Sequence, residues 1–202
     1  MITDTAIACI ISQEIAASYP VHLLPPITMS CSHEHAAFPG TVSISAKTLY
    51  AVIDDIRASL TRSGIHKLVI VNGHGGNYVL SNVVQEANVD GPAVSLFPLG
   101  ADWDRARDHA DLASDRQADM HAGEIETSVL LHAAPELVRD GYTEADHDGG
   151  PRPFLLVQGM GAYTESGVIG FPALATADKG KAVLESLTEG FALHLAARGV
   201  SR

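Results

Sequence analysis

Four consecutive aliphatic residues, Leu68 to Val71 in KLVIV, run straight into the turn NGHGGN, Asn72 to Asn77. No other stretch restricts the fold as much. A strand with one face in water alternates polar and apolar residues, whereas an unbroken aliphatic run needs cover on both faces, as in a parallel sheet between helical layers. Gly73, Gly75 and Gly76 then allow a tight turn and a close approach of main chain to a ligand. Asn72 and Asn77 can hold such a turn through local hydrogen bonds, and His74 stands at its centre.

The flanking segments extend this pattern. Thr5 to Ser18 has helical spacing of Ala and Ile, and Val21 to Pro26 reads as a short strand stopped by two prolines. Ser45 to Ser63 is amphipathic, with Leu49, Val52, Ile53, Ile56 and Leu60 on one face and Gly64 as its stop. Tyr78 to Asn88 reads as a helix, Ala93 to Leu99 as a strand, and Gly123 to Ala134 and Lys179 to Arg198 as helices. Strands alternating with helices predict a three-layer α/β/α fold with a mostly parallel central sheet. A single domain over residues 1–202 accounts for the length, with residues 140–170 a Gly- and Pro-rich irregular excursion.

Charge and cysteine content narrow the function. With 24 acidic against 13 basic residues the formal charge is −11, and no basic stripe is present to meet a phosphate backbone. Cys9 and Cys31 are too few and too unpatterned for a disulfide framework, which fits a reducing cytoplasm. No stretch approaches 18 uninterrupted apolar residues and the N-terminus lacks a signal-peptide pattern, so neither membrane nor export is expected.

In open α/β sheets ligands bind beyond the carboxyl ends of the strands, where NGHGGN lies. The turn has neither the lysine nor the spacing of a phosphate loop; taken alone, it is as compatible with an exposed histidine as with a site. Two further clusters bear on that choice. DMHAGEIETS, Asp119 to Ser128, carries His121, Glu124 and Glu126. A break at Gly123 would let His121 and Glu126 face one cavity, while Glu124 is also the acid that a first helical turn favours. SHEHAAFPGT, Ser32 to Thr41, carries His33, Glu34 and His35, either a polar loop or the source of one or two ligands. Thr3-Asp4 before the first helix reads by itself as an N-cap. Together these carboxylates and imidazoles are the set that a divalent-metal hydrolase uses to activate water.

With those residues in place, the sequence resembles the creatininase family. The resemblance runs from Thr3 nearly to the C-terminus and rests on EHAAFPGTVSIS, VNGHGGN, HAGEIETS and SGVIGFPALATADKG, in that order. It implies a layered α/β fold, commonly a homohexamer, with two divalent ions (zinc, manganese or iron) at the strand ends. By that resemblance Asp4 bridges the ions, His74 holds one, Glu126 holds the other, and His121 exchanges a proton with the departing nitrogen. Glu34 and His35 match a loop flanking the pocket, beside Gly75 and Gly76, and Trp103 resembles an aromatic pocket position. The implied reaction is hydrolysis of a C–N amide bond in a small cyclic amide, a formamide or a peptide.

Two departures qualify it. Family members carry a strand and an E-x-H segment ahead of the Thr-Asp pair, whereas this chain reads Met1-Ile2-Thr3-Asp4. The expectation is a start placed too late or a shortened chain, with a catalytically inactive structural or regulatory subunit as the alternative function. True creatininases also read N-G-H-Y-E-N at the turn, with glutamate where Gly76 stands, so creatinine is not the expected substrate.

Overall fold

Strands β1 (Leu68–Val71) and β2 (Val94–Phe97) pair in parallel, Leu68 opposite Val94 through Val71 opposite Phe97. The structure is a computed structural model that describes residues 2–197 and 199, and among these the sheet has two strands. The two faces of the sheet serve different cores. Val69, Val71 and Phe97 pack with α1 (Thr3–Ser18), α4 (Gly100–His109), α5 (Glu124–Ala133) and α7 (Ala177–Ala196). Ile70 and Leu96 pack with α2 (Ala46–Arg62) and α3 (Val79–Ala87) on the other side. That is the α/β/α layering expected from KLVIV, because successive side chains of a strand point to opposite faces.

Each helix presents the face its sequence dictates. Ile7, Ile11 and Ile15, four residues apart on α1, are all buried; removing each from water is worth about 1.5–3 kcal/mol. Ser45 caps α2 by accepting from the Thr48 amide, and Gly64 follows at φ +80° as the stop. Thr176 caps α7 in the same way through the Lys179 amide. Helices α5 and α7 approach so closely at Gly180 that a Cβ there would lie 1.9 Å from the Ser128 carbonyl oxygen.

Three differences from the sequence reading stand out. The strand expected at Val21–Pro26 does not form; residues 22–29 are irregular and exposed, since Pro20, Pro25 and Pro26 offer no N–H to a ladder. An apolar groove of about 1470 Å³ instead runs beside β1 between α1 and α2. Helix α4 has no signature in the sequence pattern, because GADWDRARDH is too charged to show an apolar stripe. Its Asp102 is nonetheless buried, accepting from the Leu99 amide at 2.8 Å and pairing with His194 at 2.9 Å. Finally, the terminal helix stops at Ala196, and Arg198 lies outside the described residues. The excursion at 140–170 is mostly irregular, with one short helix α6 (Leu155–Gln158), helical turns at Tyr142–Glu144 and Met160–Ala162, and bridges from His147 to Gly170 and from His121 to Ile169.

Candidate metal centre

The turn after β1 is built by its asparagines. The Asn72 side chain donates to the His74 carbonyl and accepts from the His74 amide, and Asn77 Nδ2 donates to Asn72 Oδ1 at 3.0 Å. Asn77 Oδ1 in turn accepts from the Cys31 amide at 3.0 Å, which ties the Ser32–His35 segment to the turn. Gly73 is a close approach: a Cβ there would stand 2.3 Å from the Asp4 carbonyl oxygen, so only glycine lets the first turn of α1 settle on the loop. Asp4 is therefore no cap, as the N-cap position is Ile2 with no side-chain cap bond. Its carboxylate faces the imidazole instead.

His74 is buried, with Nδ1 3.0 Å from Asp4 Oδ2 and Nε2 2.8 Å from Glu34 Oε1. Glu34 Oε1 also lies 3.5 Å from His35 Nε2. The His35 ring centroid is 5.7 Å from that of His74 and 4.7 Å from that of His121. Glu126 and His121 arrive from the other wall. The chain reverses through Ala122 at φ +54° and α5 begins at Glu124, beyond Gly123. The break expected at that glycine is thus present, and the Ala122 amide donates to Glu126 Oε2 at 2.7 Å. Asp119, buried and unremarked in the sequence reading, fixes this corner: it accepts from the Ile125 amide at 3.0 Å and pairs with Arg107 at 3.0 Å. Nothing in the local pattern marks it, since its ion-pair partner Arg107 belongs to a separate element, α4.

Asp4, Glu34, His35, His74, His121 and Glu126 all line one cavity of about 120 Å³, with Gly75 and Gly76 at its edge. Trp103 is elsewhere, packed against the main core. His33 is exposed on the outer side of its turn, and Glu124 is wholly buried among the Ala113 and Ser114 amides, the Ser114 hydroxyl and Lys179.

The electrostatics follow from crowding three carboxylates among three imidazoles. Burial disfavours a charged His74, but hydrogen bonds to Asp4 and Glu34 outweigh it and push its pKa up to about 10. Burial raises Asp4 and Glu34, yet the His74 bond and charge hold both below their ordinary values. Glu126 is pushed up to about 8 by burial and the neighbouring Asp4 charge. His121 is pulled down to about 4 by burial and then His35, so it is neutral at pH 7. The cavity holds its carboxylates by protonating a histidine, a role a bound cation can take over. Two trios, Glu34 with His35 and His74, and Asp4 with His121 and Glu126, each keep their donor atoms within 4.8 Å of one another. Mixed nitrogen and oxygen donors of this kind suit zinc, manganese or iron.

Comparison with known proteins places the chain in a family. The family model for creatinine amidohydrolase matches residues 1–195. The mycofactocin precursor peptide peptidase of Mycolicibacterium smegmatis is 30% identical over 203 residues, covering 94% of this chain and 75% of its own. A crystal structure of creatinine amidohydrolase superposes with a TM-score of 0.81 at 23% identity, covering 97% of this chain and 82% of that one. A manganese creatininase superposes at 0.79, with 23% identity over 96% and 82% of the two chains. The chain belongs to the creatininase (creatinine amidohydrolase) family.

Proposed function

We propose that this protein is a metal-dependent amidohydrolase that cleaves the C–N amide bond of a small cyclic amide, a formamide or a peptide. The observation that carries the reading is the convergence of six donor side chains from α1, the Ser32–His35 segment, the NGHGGN turn and the α5 corner on one small cavity. Asp4, His74 and Glu126 are the residues that hold divalent metal, zinc, manganese or iron. When bound, such ions supply Lewis acidity at the carbonyl and lower the pKa of water.

The chain's own contribution is to orient and to move protons. Asp4 accepts from His74 Nδ1 and so fixes that ring's orientation, the usual device for a metal-ligating histidine. His121 is neutral at pH 7, as it must be either to bind an ion or to accept the proton of attacking water and pass it to the departing nitrogen. Gly75 is exposed with open space where a Cβ would stand, which leaves the rim beside the cavity free for substrate. No described helix is long and apolar enough to cross a membrane; the reading places the enzyme in the cytoplasm as a homo-oligomer, a hexamer if it follows the family pattern.

His74→Ala tests the proposal. It should abolish amide hydrolysis and lower metal content with the far-UV circular dichroism unchanged. Full turnover by this variant would sink it. A wild-type chain that takes up no divalent metal would leave the alternative, an inactive structural or regulatory subunit.

A further inference from the structure

Resting on the reading of a metal centre, we propose that Glu34 and His35 are themselves metal ligands, forming with His74 one ion position, while Asp4, His121 and Glu126 form the other. The two nitrogens of His74 decide the matter. Nδ1 at 3.0 Å from Asp4 matches the carboxylate contact that orients a metal-ligating histidine through its other ring nitrogen, which leaves Nε2 for the ion. That nitrogen lies across the ring from the Asp4 contact; its neighbours are Glu34 Oε1 at 2.8 Å and Ser32 Oγ at 3.4 Å. Asp4 is then the residue that orients His74, and its carboxylate is shared with the second trio rather than with the ion on Nε2.

Spacing supports the assignment. Donors on one tetrahedral ion, with bonds of roughly 2.1 Å, sit about 3.4 Å apart. Glu34 Oε1 and His35 Nε2 are already at 3.5 Å. Glu34 Oε1 and His74 Nε2, at 2.8 Å across a proton, need to part by only about 0.6 Å when an ion replaces it.

The loop is also built to hold Glu34 where it is. The Cys31 amide is anchored to Asn77, and the Thr41 hydroxyl donates to the His35 carbonyl at 2.9 Å. On the outer side Gly159, at φ +70°, packs so that a Cβ would come within 2.9 Å of the Glu34 carbonyl oxygen. On the inner side, a Cβ on Gly76 would stand 2.3 Å from Glu34 Oε1 and 2.5 Å from His74 Nε2. The glycine leaves room for a carboxylate delivered by another segment.

The test is metal stoichiometry and cobalt(II) absorption on the full chain, loaded with cobalt(II) alone and measured against Glu34→Ala, His35→Ala, Gly76→Ala and Glu126→Ala. Wild type should bind two ions. Glu34→Ala and His35→Ala should each bind one, with a visible spectrum that differs from the one-ion form of Glu126→Ala, because a different site is left occupied. Gly76→Ala should behave like Glu34→Ala. Glu34→Gln, which keeps the shape, should weaken cobalt binding at least tenfold. The Ser32–His35 segment contributes no core side chain, so unchanged circular dichroism is expected throughout. Two ions retained by Glu34→Ala and His35→Ala would overturn this assignment while leaving the metal-hydrolase reading intact. No cobalt bound by wild type would overturn both.

Discussion

Glycine 180, on the buried face of α7, offers a sharp test of how α5 is held. Alanine is favoured over glycine inside a helix by about 1 kcal/mol, so propensity alone makes Gly180→Ala stabilising. The structure reverses the sign. The new Cβ would lie 1.9 Å from the Ser128 oxygen, 2.4 Å from its carbonyl carbon and 2.9 Å from the Val129 nitrogen. These are main-chain atoms of α5, held in its hydrogen-bond ladder, and cannot swing aside. Forcing the two helices apart costs at least the roughly 1–3 kcal/mol typical of an overpacked core. At the upper end of that range the net loss is about 2 kcal/mol, or a fall in Tm of about 4–8 °C for a chain this size.

Gly190→Ala, on the same helix, supplies the control. Its Cβ would meet Arg105 Nη2 at 2.4 Å, the end of a partly exposed side chain that can swing aside from its ion pair with Asp102, which keeps its Leu99 and His194 partners. Calorimetry of the metal-free proteins should rank Gly190→Ala at or near wild type and Gly180→Ala well below. Because α5 carries Glu126, Gly180→Ala should also weaken cobalt binding. Equal Tm values for the two variants would refute the claim that main-chain contact between α5 and α7 sets their spacing.

Three further outcomes are expected. Lys179→Met strips the ammonium from wholly buried Glu124 at 2.6 Å. The three remaining donors and partial solvation of Lys179 bring the loss to about 2 kcal/mol, below the 3–5 typical of a broken buried pair. Burial pushes the Glu124 carboxyl up, but Lys179 and Ser114 outweigh it and hold it below its ordinary value of 4.5. Its contribution is therefore complete above pH 4.5 and fades as pH falls through the folded value. Urea titrations across that range should show the gap between variant and wild type closing, and a gap independent of pH would exclude the ion pair as its cause. Ala122→Gly relieves a left-handed alanine at φ +54° and should raise stability by up to about 1 kcal/mol in thermal unfolding; Ala122→Val should lower it and loosen metal binding. Phe191→Leu removes edge-to-face contacts with Tyr19 and Phe97, both at 5.3 Å. With each aromatic pair worth roughly 0.5–1.5 kcal/mol, a loss of about 1–3 kcal/mol is expected in the same assay.

What the sequence determined by itself was local and periodic. Unbroken aliphatic residues at Leu68–Val71 required cover on both sides, and the two cores deliver it. Four-residue spacing of isoleucines set the inner face of α1, and glycines and asparagines marked a tight turn around His74 at a strand end. These signals survive without tertiary context because each is written in neighbouring residues. The groups that organise the site were less legible. Asp102, in the core, and Asp119, at the corner beside the site, look like ordinary surface acids until His194 and Arg107 from other elements pair with them, and Val21–Pro26 reads as a strand although no described strand pairs with it. Whether Glu34 flanks the site or reaches His74 depends on Asn77, Gly76 and Gly159, which lie 42 to 125 positions further along the chain. Only the folded chain sets that distance, because a carboxylate becomes a candidate ligand through the company it keeps in space, and sequence spacing carries no information about contacts made across separate elements.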